Sequence, residues 1–234
     1  MKEKDSAISF SNDIWYNLMS SLIYGSILGT IIYSFIDNIV GFILHRNSAL
    51  FLRDIGVNRN IGFTYFLFFS FSVIWHYCTD FLYTMYSKGL YSKFNFICDL
   101  IINFFLALSF ILITDSFTNF THSTEYIKIS IFVFWGSLII IYFIFFLWDY
   151  SAYRYYKKQA PNNEKAAFYK SMIFPFETSA ISVYSILLLG SFIFIDKKNW
   201  LSFAYLTISL LIFFLFSLWF WTKLKQLEQL SNNE

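Results

Sequence analysis

The sequence predicts an all-α fold: a polytopic transmembrane helical bundle of about six spans, with the N- and C-termini cytoplasmic. Three observations predict it. Six long apolar stretches run at roughly 14–37, 61–86, 94–114, 127–148, 177–195 and 200–222, separated by short polar segments. A helix of about 20 residues crosses a hydrocarbon core of about 30 Å. The 234 residues are 57% hydrophobic and only 14% charged, against roughly 25% charged in an ordinary soluble domain. In water such a surface would expose large apolar patches and aggregate; in lipid it is solvated. The third observation is the Lys and Arg distribution. With six spans, the side holding both termini carries eleven of them and the other side six, which places the termini inside.

Backbone amides in lipid must be satisfied within their own segment, so the stretches are helices. Barrel strands would need alternation at period two, which Phe66-Leu67-Phe68-Phe69 lacks. Ser11, Asn12 and Asp13 are N-cap candidates for the first helix. The mixed charges of residues 1–13 and the length of the next apolar stretch argue for a retained membrane helix rather than a cleaved signal. Asp37 and Asn38 fall at the outer interface. Residues 38–60 continue the first helix, and Leu50 to Ile55 read as an amphipathic segment on the outer interface. The short connections 87–93, 115–126 and 196–199 make helices 2 and 3, 3 and 4, and 5 and 6 antiparallel neighbours. Residues 149–176 read as a cytoplasmic loop with a short interface helix at 164–172, a docking place for a cytoplasmic partner protein. The C-terminal leucines 224, 227 and 230 suit packing on another subunit. The chain forms one integral membrane domain, 1–234, without an internal repeat.

Three constellations stand out. His76 and Asp80 are four apart on one helix, and Asp99 and Asn103 four apart on the next, so each pair shares a face. Counted from a turn near Leu90, Asp80 and Asp99 lie at one depth, with His76 and Asn103 about one helical turn deeper. Ionisable groups at membrane depth are costly and mark a functional site by default. The functional reading is a proton or cation site, with His76 relaying to Asp80; the structural one is interhelical glue, reached by Lys88, Lys93 or Arg154 from the interface. Asp149, also near the inner face, joins this cluster as a candidate.

The second constellation, Trp148 with Arg154, Lys157 and Lys158, reads as an interface anchor that ends helix 4 and contacts anionic lipid. The third is a small-residue stripe on helix 1, Ser21, Gly25 and Gly29, which lets two helices approach closely. Its partner is read first as another helix of the same chain, with a homo-oligomer contact as the alternative. Glu177, just after Pro175, reads as a first-turn acid complementing the helix dipole. His45 and His122 fall outside without a partner at ligand spacing, and Asn119-Phe120-Thr121 fits a glycosylation sequon.

No catalytic motif, metal site or cofactor motif is expected: P-loop, Gly-x-Ser-x-Gly, His-Glu-x-x-His and Cys-x-x-Cys are all lacking. Cys78 and Cys98 lie inside apolar stretches and suggest no disulfide. A net charge of +2 gives no direct nucleic-acid partner. The expected role is a non-enzymatic channel-like, sensor or anchoring subunit of a larger assembly in the bacterial inner or plasma membrane, such as a stress, immunity or antiviral defence system. The alternative is a permease subunit served by a separate ATPase. The lipid bilayer itself is the first partner.

Overall fold

The computed structural model describes residues 14–45, 59–86, 91–118, 124–160, 163–195 and 200–232. They are almost entirely helical, with no strand among them. The N-cap candidates Ser11, Asn12 and Asp13, the segment 50–55, Lys88, the sequon at 119–121 and His122 lie outside the described residues, as does the His45 side chain.

The first helix is continuous from residue 14. Its residues 14–18 pass through a π turn, Met19–Ile23, into α1, Tyr24–His45. Then follow α2 (Arg59–Tyr86), α3 (Lys93–Thr118), α4 (Thr124–Gln159), α5 (Glu164–Ser171), α6 (Thr178–Phe194) and α7 (Trp200–Asn232). Among the described residues, five helical runs are long and apolar enough to cross a membrane: 14–37, 93–112, 129–159, 164–194 and 201–231. The chain is a multi-pass membrane protein on this count. The stretch expected at 61–86 forms one unbroken 28-residue helix, α2.

The neighbours expected from short connections do pack: α2 on α3, α3 on α4, and α6 on α7. Longer-range packing ties them together. α1 lies on α3 and α2, α7 on α2, and α6 on α4. α4 is thus the hub, touching α3, α5 and α6. Its inward face repeats at helical spacing: Ile131, Trp135, Leu138, Tyr142, Phe145, Trp148 and Ala152 are all buried. Outward faces carry large apolar side chains instead, such as Leu189 on α6 (63% exposed) and Leu215 on α7 (61%).

Two boundaries fall away from the expected places. α4 does not end at 148 but runs to Gln159, so residues 149–159 are helix rather than loop. The short helix expected at 164–172 is present as α5. Asn163 caps it, its Oδ1 accepting from the Lys165 and Ala166 amides. It turns Ala166, Phe168 and Tyr169 inward onto α4. A π segment, Met172–Glu177, joins α5 to α6, with Phe174 at φ −126°, ψ 112° breaking the helical path. Leu224 and Leu227, expected to pack on another subunit, are each 2% exposed within this chain's own core.

Candidate functional site

Asp80 and Asp99 are brought together as their matched depth predicts. Both are fully buried, and each acts electrostatically within the same small polar nest. The nest is built from three helices. The Tyr24 hydroxyl of α1 donates to Asp80 Oδ2 at 2.7 Å and lies 3.2 Å from Thr84 Oγ1. Thr84 Oγ1 donates to Asp99 Oδ2 at 3.3 Å, and the Tyr91 hydroxyl donates to the same oxygen at 2.7 Å. Each carboxyl keeps its second oxygen, Oδ1, without a hydrogen-bond partner.

The flanking residues do not join in the expected way. His76 is four residues from Asp80 but points into an aromatic box, its ring 5.5–5.9 Å from Tyr142, Phe213 and Phe220. Neither of its nitrogens meets a hydrogen-bond partner, so the expected His76–Asp80 relay is not assembled. Asn103 donates from Nδ2 to its own helix, the Asp99 carbonyl at 2.8 Å, and leaves Oδ1 unpaired.

Asp149 belongs to a second nest. It too is fully buried, and its Oδ1 accepts a short hydrogen bond from the Tyr83 hydroxyl of α2. Opposite it stands Glu177, also fully buried and in electrostatic contact with Asp149. Asp149 Oδ2 and both Glu177 oxygens lack a donor. Glu177 stands where the first-turn reading puts it, just after the break at Phe174 and at the start of α6, and in addition it faces an acid. Its position could have been read from period alone. Ile173, Phe176, Glu177, Ala180 and Tyr184 form one buried stripe at helical spacing.

Trp148 links the two nests. Its ring meets Tyr83 and Tyr91 edge-on at 6.0 Å each, the two phenols that serve Asp149 and Asp99. At 1% exposure it cannot reach an interface, so its expected anchoring role is corrected to core packing. The physical reason is the extra length of α4, which carries the helix end eleven residues past Trp148. Arg154, Lys157 and Lys158 are exposed on that extension; Arg154 lies over the Tyr150 ring and Lys157 over the Tyr153 ring.

Among the described residues, no lysine or arginine acts on any of the four carboxyls. Lys93 lies over the Trp15 ring. Nor do three His, Cys, Asp or Glu side chains converge as metal ligands among the described residues. Cys78 and Cys98 are free thiols.

The small-residue stripe faces outward. Ser21, Gly25 and Gly29 are exposed, and no described atom lies within 4 Å of a methyl placed on Gly25 or Gly29. Among the described residues, the expected packing of the stripe within the chain does not form. The close contact between glycine and neighbour occurs elsewhere, at Gly190, where a methyl would stand 2.9 Å from the Tyr205 ring.

No known protein family, characterised protein or solved structure matches this chain.

Proposed function

We propose that the protein is a non-enzymatic, channel-like or sensor subunit of an inner- or plasma-membrane assembly, and that the Asp80–Asp99 pair is its proton- or cation-responsive element. In this reading α2 is the sixth span and both termini are cytoplasmic. One observation carries it: two acids from adjacent helices come together fully buried, each with an unpaired oxygen and, among the described residues, no basic partner. A buried charge without a counter-charge is strongly unfavourable, so such a pair must take up a proton or a cation to stay folded. Interhelical glue alone would be served by amides or hydroxyls.

The outward stripe of Ser21, Gly25 and Gly29 supports self-association, because small residues let a second copy approach closely. Flux through the purified protein in liposomes under an imposed pH or potassium gradient tests the main reading. Asp80→Asn and Asp99→Asn are each expected to change it by tenfold or more. Wild-type flux from both well-folded variants would leave the pair purely structural.

A permease subunit with a separate ATPase is the second reading. The observation that favours it is the packing of α5 on α4, with Arg154, Lys157, Lys158 and Lys170 exposed along the two helices. An ATPase subunit docking there would be lost on Lys157→Glu/Lys158→Glu substitution.

A further inference from the structure

We propose that Asp149 and Glu177 form a second proton-binding site, in which Glu177 holds the proton and donates it to Asp149. The site is distinct from Asp80–Asp99 and does not depend on the function proposed for that pair.

The assignment follows from counting donors. Asp149 Oδ1 already accepts from the Tyr83 hydroxyl, an arrangement suited to a carboxylate. Its Oδ2 is open, and both Glu177 oxygens are open, although the two side chains face each other in a fully buried place. Two ionised carboxylates in contact repel, and among the described residues no cation acts on them. A single proton resolves this: on a Glu177 oxygen, it makes that oxygen a donor to Asp149 Oδ2, the acceptor Tyr83 leaves free. Placed on Asp149 instead, it would be held by the acid whose charged form is already stabilised. A metal ion would need several more oxygen ligands than the pair supplies.

The surroundings reinforce the choice. Tyr142 of α4 is fully buried, its hydroxyl makes no hydrogen bond of good geometry, and it acts electrostatically on both Glu177 and Asp80. It lies within electrostatic reach of both acid pairs, with the Tyr184 hydroxyl beside its own. Facing the site from the other packed elements are Tyr83 of α2, Tyr169 of α5 and Tyr184 of α6. α7 contributes rings, with Phe216, Trp219 and Phe220 against Phe176. The Lys223 ammonium of α7 is committed to Ser171 Oγ at 2.9 Å. Glu177 is the last residue of the π segment, and irregular backbone at membrane depth is tolerated where it lines a protein-enclosed site. Proton uptake is balanced as one proton gained per pair.

Infrared spectroscopy of the full chain in phosphatidylcholine–phosphatidylglycerol vesicles at neutral pH tests the assignment. The expected spectrum contains a protonated-carboxyl C=O band that shifts on labelling glutamate with carboxyl-¹³C and is lost in Glu177→Gln. Asp80→Asn should leave this glutamate band in place. Absence of any glutamate-derived protonated band from the labelled wild-type protein would overturn the site, with no variant needed. A persistent glutamate band beside unaltered flux in Asp80→Asn and Asp99→Asn would instead sink the Asp80–Asp99 reading alone.

Discussion

The first and fourth helices are both apolar and of membrane length and differ in what surrounds them. In the membrane-length run at 14–37, only 17% of the most apolar stretch is buried in the chain; in the run at 129–159 the figure is 50%. α4 packs three neighbours and places Trp135, Tyr142, Trp148 and Asp149 inside. The first helix contributes Tyr16, Met19, Tyr24 and Ile31 to the core and turns its small-residue stripe away from it. Its Tyr24 hydroxyl reaches Asp80 from outside the α2–α3 hairpin. The lesson is that hydropathy fixes the medium of a helix but not its neighbours. A lipid-facing leucine and a core-facing leucine look alike, because lipid tails are as apolar as the protein interior.

The largest expected effect on this contrast is at its centre. Trp148→Ala removes a buried indole that touches both tyrosines serving the acid nests, and should destabilise the folded state by about 3–5 kcal/mol. Thermal unfolding in mild detergent measures it. A loss under about 0.5 kcal/mol, the scale of ordinary surface substitutions, would return Trp148 to the interface.

Next is Tyr83→Phe, which deletes the hydroxyl that donates to Asp149. The loss should be about 1.5–3 kcal/mol, the range for a hydrogen bond to a charged group. An equal effect of Tyr83→Phe in the wild type and in the Asp149→Asn background would argue that the two side chains do not interact.

Gly190→Ala sharpens the comparison from the packed side. Its methyl would meet the Tyr205 ring at 2.9 Å, and that ring is pinned by its hydroxyl donating to the Leu187 carbonyl at 2.5 Å. Overpacking of this kind costs about 1–3 kcal/mol. The smallest effect belongs to Gly25→Ala and Gly29→Ala. With nothing near either added methyl, monomer stability should hold or rise by up to about 1 kcal/mol, the Gly-to-Ala helix preference. If these two destabilise as much as Gly190→Ala, the first helix is packed on its stripe after all.

How much of this could be read from residue order alone differs from site to site. Asp80 and Asp99 were within reach because a short connection between helices fixes their relative depth by counting. Tyr24 was not, since a separate helix supplies it and no spacing rule relates residue 24 to residue 80. His76 shared the right face and depth yet turned to an aromatic box, a choice made by Tyr142, Phe213 and Phe220 on other helices. Trp148 misled because an aromatic near Arg154 and Lys157 resembles an interfacial belt, while the hydrophobic pattern does not reveal that the helix persists to Gln159. Glu177 was placed at a helix start by Pro175, as the break at Phe174 bears out, but its neighbour Asp149 comes from another helix and no spacing rule relates the two. The glycine stripe shows that close approach is sterically open, and says nothing of what approaches.

The central claim is that Asp80 and Asp99 form one interacting buried pair rather than two separately solvated acids. A double-mutant cycle on the unfolding free energy of wild type, Asp80→Asn, Asp99→Asn and the double variant measures that directly. The expected coupling is on the order of 1–3 kcal/mol, with the second amide adding much less than the first. Additivity within about 0.3–0.5 kcal/mol would contradict the pairing.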